Sequence, residues 1–167
     1  MTNNLLFILT LFSALGSGLV AGAFFAFSSF VMSALARIPS AQGIAAMQSI
    51  NITVINPLGG VVFLGTAAAC IILGISSLLK WHKPGAGYLL AGSLLYLIGT
   101  ILVTMVCNVP RNDALAAVDP SSMAGSNLWA GYITGWMAWN HVRTAAALAA
   151  SASFIMALCL SRDGGTP

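Results

Sequence analysis

Charge is what this chain has least of. Of its 167 residues six are Lys or Arg, three are Asp and none is Glu, so charged side chains make up 5% of the whole. An ordinary soluble domain carries roughly 25%. So few ions could not cover a water-facing surface, and lipid is the expected solvent for most of the exterior. Cysteine is equally sparse. Cys70, Cys107 and Cys159 lie inside apolar runs without Cys-x-x-Cys spacing, which points to neither a disulfide framework nor a zinc site and leaves them as small hydrophobes. The two histidines, His82 and His141, belong to opposite membrane ends, and no glycine-rich dinucleotide or phosphate loop is present. No metal and no organic cofactor is expected. The net charge of +3 is too small and too scattered to imply nucleic acid.

What the chain does have is long uncharged stretches. Leu5 to Ala36, Leu58 to Leu79 and Tyr88 to Cys107 contain no charge, and Thr144 to Leu160 contains none after Arg143. A helix needs about 20 apolar residues to cross the hydrocarbon core. A closed barrel is the other way to satisfy a backbone in lipid, but its strands would alternate polar and apolar side chains, and these runs do not. The expectation is an all-α membrane four-helix bundle, a single domain over 1–167 with spans near 5–36, 58–79, 88–107 and 137–160. The first run is too long for a removable signal peptide and lacks the positive leader. At 32 residues it would measure roughly 48 Å as a straight helix. It must therefore tilt, bend near Gly16, Gly18 and Gly22, or protrude, and protrusion on the far side is favoured.

Four spans put both termini on the side of the turn "KWHKPGAG". Lys80, Lys83 and Arg162 fall on that side and Arg37, Arg111 and Arg143 on the other, a tie by the positive-inside count. Termini inside is preferred because Lys80 and Lys83 flank a short turn as topological anchors. Asn56-Pro57 reads as a cap and first helical residue opening the second span, and Pro84-Gly85 as the turn into the third. Between the first two spans, Ile44, Met47, Ile50 and Val54 recur at helical spacing, which suits a short interfacial helix acting as a cover. Gly18 to Gly22 and Gly131 to Gly135 have the spacing of close helix packing.

Chemistry is concentrated in "LWAGYITGWMAWNHVR", residues 128–143, a helical extension leading into the fourth span. At about 100° per residue, Trp129, Tyr132, Trp136, Trp139, Asn140 and Arg143 share an arc of roughly 100°, while His141 points elsewhere. An aromatic belt with a snorkelling arginine would give such a stripe. A pocket is the other reading, since Asn140 has no part in a belt and the third span ends at the same membrane side in "CNVPRNDAL". Asn108, Arg111 and Asn112 could then face Asn140 and Arg143 across a mouth lined by Trp136. Asn108 could equally cap its helix, and Asp113 and Asp119 could neutralise the arginines. Arginine keeps its charge when buried and suits a phenolate, enolate or carboxylate. Carboxamides add neutral donors at the same oxygen, and indoles give flat apolar walls. The implied guest is a flat, weakly acidic, membrane-soluble molecule.

The motifs "MQSINITVINPLGG", "CNVPRNDAL" and "LWAGYITGWMAWNHVRTAAALAA" resemble the anthrone oxygenase-like family of small four-helix integral membrane proteins. That resemblance implies a bundle in which some members oxidise the activated methylene of an anthrone to a quinone with molecular oxygen. It carries over Asn108, Asn112, Trp129, Trp136, Asn140 and Arg143. The family pattern has a basic residue where Thr53 stands, a departure that bears on substrate more than on fold. The resulting expectation is an oxygenase-like enzyme without organic cofactor, with Arg143 and Asn140 catalytic and with Asn108, Asn112, Trp129, Tyr132, Trp136 and Asn51 binding an apolar aromatic small molecule. Its partners would be the lipid bilayer, that molecule and oxygen. The rival is a non-enzymic membrane protein, a small-molecule carrier or a partner for another membrane protein. The small-residue run "TAAALAASAS" fits association and leaves homo-oligomerisation open.

Overall fold

A computed structural model describes residues 3–163, with the side chains of Asn3, Arg162 and Asp163 left aside. The Arg162 side chain, counted above among the charges of the terminus side, lies outside the described residues. Helix α1 (Asn3–Ala26) runs through a π-helical stretch (Phe27–Val31) into α2 (Met32–Leu35). A cross-helix α3 (Ser40–Thr53) precedes α4 (Pro57–Leu79). The third rod is α5 (Ala86–Leu94), two π-helical stretches (Leu95–Leu102 and Thr104–Asn108) and α6 (Val109–Ala116). Helix α7 (Met123–Asp163) is unbroken over 41 residues. Four rods, Asn4–Leu35, Pro57–Leu79, Ala86–Ala116 and Met123–Ser161, are long and apolar enough to cross a membrane. This is a multi-pass helical membrane protein.

Local chemistry explains the joints. The Asn56 side chain accepts the Gly59 amide at 2.9 Å and Pro57 follows at the first helical position, as the sequence predicts. Gly85 has φ +82° at the start of α5, and a side chain there would also press on the Ala157 carbonyl at 3.1 Å. Only glycine meets both demands at no cost. The third rod does not stop at Cys107. The π-helical stretch Thr104–Asn108 comes just before Pro110, which sits in the first turn of α6, where a missing backbone N–H is tolerated. The third span is thus about two and a half turns longer than the expected 88–107 at its far end.

Inside a bilayer apolar side chains gain little from leaving lipid for protein, so close packing and interhelical hydrogen bonds hold such bundles together. The terminus-side cluster follows that rule. Small residues, Ala14, Ala67, Ala147, Ala150 and Ala157, let the rods approach around Leu73, Tyr96 and Phe154. Ser151 donates to the Ala14 carbonyl at 2.8 Å and Tyr96 to the Phe63 carbonyl at 3.1 Å. The expected glycine packing is half right. A side chain at Gly18 would touch Ser151 and one at Gly135 would strike Arg111, but Gly22 and Gly131 face open space.

A second cluster, at the opposite end, joins Met32, Ile44, Met47, Leu115, Trp129, Tyr132 and Trp136. The cover expected between the first two spans is α3. It buries Ile44 and Met47, and Gln48 ties it down by donating to the carbonyls of Leu115 and Val118 at 2.8 and 3.0 Å. Val54 is not on its inner face: it lies past the helix end and is 62% exposed. The first rod runs on to Leu35, and its departure from α geometry falls at Phe27–Val31, beyond the glycines.

Candidate functional site

Along α7 the terminus-side cluster ends at Ala147 and the covered cluster begins at Trp136. Between them on the same helix lie Asn140 and Arg143, 0% and 4% exposed. A polar layer therefore separates two apolar ones.

The guanidinium of Arg143 is held on several sides. It donates to Asn140 Oδ1 at 2.7 Å and to Thr104 Oγ1 at 3.3 Å. Its central carbon lies 4.2 Å from the centre of the Phe24 ring and 5.0 Å from that of Trp136, within the range of a cation–π contact. A carboxamide, a hydroxyl and two ring faces are all neutral partners. A buried cation without a carboxylate is costly, and inside a membrane such a group is a functional hypothesis by default. Asp113, expected to neutralise the arginines, is exposed, and the Asp119 carboxylate instead accepts the Ser121 amide and hydroxyl at 2.8 and 2.6 Å.

Asn140 is fully occupied. Its Nδ2 donates to the Phe24 carbonyl at 2.7 Å and to Ser28 Oγ at 2.8 Å, while its oxygen takes the guanidinium. Both contacts on the first rod lie where α1 passes into its π-helical stretch, an irregularity often found at functional sites. Asn108 is buried and donates to the Trp136 carbonyl at 3.2 Å. Its Oδ1 and the Nε of Arg143 are buried without a hydrogen-bond partner. One acceptor and one charged donor are therefore left over in this layer.

A second tier lies toward α3. Asn112 Oδ1 accepts from Trp136 Nε1 at 2.9 Å and from the Tyr132 hydroxyl at 3.0 Å. The Asn51 side chain reaches the same hydroxyl, so the cover takes part in the network. Trp129 stacks on Tyr132 with centroids 5.5 Å apart and planes 11° from parallel. A β-carbon on Gly43 would come within 2.7 Å of the Trp129 indole and 3.0 Å of the Leu35 carbonyl. Glycine is what lets α3 seat directly on that ring.

All eight expected site residues thus belong to two adjoining tiers. Asn108, Asn140 and Arg143 form the inner one with Trp136, whose indole N–H ties it to the outer set of Asn112, Tyr132, Trp129 and Asn51. Three expectations need correction. Trp139, placed on the aromatic arc, is 38% exposed at its edge. Arg111 does not face the cluster: it lies across Gly135 and donates to the Cys107 carbonyl of its own rod. Asn108 does not cap its helix: the rod runs on through α6, Asn108 makes no side-chain cap bond, and its amide bonds across to α7 instead. His141 is exposed, in the direction that periodicity assigns it. Sequence reasoning missed Phe24, Ser28 and Thr104. Ser28 and Thr104 are polar residues within apolar runs and could have been found so, whereas nothing distinguishes Phe24 from its neighbours.

Among the described residues no group of three or more His, Cys, Asp or Glu could share a metal ion. Comparison with curated proteins and with solved structures gave no match. A family model described as anthrone oxygenase does match, over residues 57–153, more than half of the chain. The matched segment contains Asn108, Asn112, Trp129, Tyr132, Trp136, Asn140 and Arg143, leaving outside it Asn51 and the first rod. With the motif residues gathered into two connected tiers and the match extending across them, the chain belongs to the anthrone oxygenase family.

Proposed function

We propose that this protein is a membrane-embedded oxygenase that oxidises the activated methylene of a flat, weakly acidic aromatic molecule of the anthrone type with molecular oxygen. The observation that carries the reading is the buried Arg143 guanidinium, surrounded by neutral partners, with its Nε and the Asn108 oxygen unpartnered. A guest that becomes an anion on losing a proton from its methylene would meet a fixed positive charge in a medium of low dielectric. There such a charge is worth far more than in water.

In this scheme the carbanion, delocalised as an enolate onto the ring oxygen, is stabilised at that oxygen by Arg143. It passes one electron to oxygen, and the resulting radical and superoxide combine into a hydroperoxide. Loss of the remaining C–H proton with cleavage of the O–O bond leaves the carbonyl. The balance is one methylene and one O2 giving one carbonyl and one water. The substrate supplies all four electrons. Asn140, whose amide is fully engaged, aims the guanidinium and serves as a positioning residue. Asn108 offers its free oxygen to a donor on the guest, and Trp136 supplies a flat wall. Tyr132, Trp129, Asn112 and Asn51 hold that wall and the cover in place.

The test is oxygen uptake by the purified protein in lipid–detergent micelles with a series of hydroxylated anthrones. Arg143→Gln should lower kcat/KM by about 10²- to 10³-fold, the scale for removing a donor that stabilises developing charge. Turnover unchanged in that variant refutes the role of the guanidinium. No enzyme-dependent uptake by wild type with any anthrone in the series refutes the oxygenase reading itself.

A further inference from the structure

One opening in the molecule lies away from the polar layer. A cavity of about 440 Å³ lies at the terminus end, between α1, α4, α5 and α7. Lys80 and Lys83, in the turn after α4, stand at its lip with Asn4 of α1, and Leu6, Leu89 and Leu158 line its interior. Lys80 and Lys83 also border an adjoining depression beside His82. Among the described residues lining the two openings there is no acidic side chain. Two ammonium groups without a carboxylate stand above a cleft whose wall sets these leucines beside the hydroxyl-bearing Thr10, Ser76, Ser77 and Ser161, an amphipathic receptor that is positive at the mouth.

Position narrows the ligand. The turn joins two membrane-crossing rods, Pro57–Leu79 and Ala86–Ala116, so the lip lies where a span leaves the hydrocarbon and headgroups begin. Basic pockets between transmembrane helices are suited to acidic lipid headgroups. We propose that this cleft is a binding site for one anionic phospholipid, its phosphate between Lys80 and Lys83 and an acyl chain against Leu6, Leu89 and Leu158. Charge complementarity selects an anionic lipid over a zwitterionic one. The leucines of the wall favour a lipid over free phosphate, which would gain nothing from them. Both lysines are exposed, so neutralising them leaves packing untouched.

The experiment is native mass spectrometry of the full chain released from micelles, with phosphatidylglycerol, phosphatidylcholine or inorganic phosphate added in separate arms, for wild type and Lys80→Gln/Lys83→Gln. One phosphatidylglycerol should be retained per chain at concentrations where phosphatidylcholine and phosphate are not, and the double variant should lower its apparent affinity by at least fivefold. Leu158→Trp, at a partly exposed lining position outside the core cluster, narrows the cleft with both lysines in place and should also lower it. Equal retention of the two lipids, equal retention by wild type and the lysine variant, or binding of phosphate alone overturns the proposal. Oxygen uptake is not read in any arm, so failure here is separate from failure of the oxygenase reading.

Discussion

Replacing Asn140 with Ala should be among the most damaging single changes in the protein. The carboxamide sends two hydrogen bonds to the first rod, at 2.7 and 2.8 Å, and receives one from a buried guanidinium at 2.7 Å. Neutral interhelical bonds in a membrane average about 0.6 kcal/mol and a bond to a charged group is worth about 1.5–3 kcal/mol, which places the expected loss at about 3–4 kcal/mol. Asn140→Asp separates the two parts: it keeps an acceptor for Arg143 and removes both donors to the first rod, so its loss should lie between wild type and Asn140→Ala. Equilibrium unfolding by a denaturing detergent in mixed micelles, followed by indole fluorescence, measures both. A loss below about 1 kcal/mol for Asn140→Ala, the scale of one ordinary hydrogen bond, would refute the linked network. So would an aspartate variant no more stable than the alanine one.

Other perturbations test single contacts. Gly43→Val puts side-chain carbon where the Trp129 indole sits 2.7 Å away; overpacking of that kind costs about 1–3 kcal/mol, and faster proteolysis within α3 should report the lifted cover, unchanged cleavage contradicting it. Trp136→Phe and Tyr132→Phe each leave Asn112 one donor, whereas the double variant leaves its oxygen none; a double-mutant cycle should show a combined loss above the sum of the two, and simple additivity would remove the shared acceptor. In the loop before α7, bonds from the Ser121 hydroxyl and amide hold the Asp119 carboxyl below its usual 3.8. The folded loop therefore binds that proton less tightly than the unfolded chain, and its contribution is complete above the unfolded value and fades as pH falls through the folded one. Ser121→Ala should raise the Asp119 titration seen by NMR, and an unmoved titration would contradict the assignment.

Much of this could be read from residue order because lipid simplifies the code. Uncharged runs of span length fix four rods, and a period of 3.6 places Tyr132, Trp136, Asn140 and Arg143 on one face of α7, where they are buried. Asn56-Pro57 announced its own helix start because a cap is a local bond. The misses are non-local. Asn108-Val-Pro looks like a helix end, and only the π-helical stretch before it carries the rod on to Ala116. A shift of one residue in the hydrogen-bond ladder has no mark in the sequence. Phe24 enters the site through a carbonyl and a ring face, and neither is distinguishable among the phenylalanines of an apolar run. Arg111 was misplaced because the bare Gly135 backbone opposite it, which lets its side chain lie flat, belongs to another rod.

The central claim is that the Arg143 guanidinium stabilises the anion of a bound aromatic guest. A hydroxyanthraquinone whose phenol and phenolate absorb at different wavelengths tests it without turnover, by titrating the dye free, bound to wild type and bound to Arg143→Gln. An opposite charge close by lowers an acid's pKa by about 1–3 units, so the dye should ionise at lower pH in wild type and lose that shift in the variant. Bound dye that titrates at the same pH in wild type, in Arg143→Gln and in protein-free micelles would contradict the account.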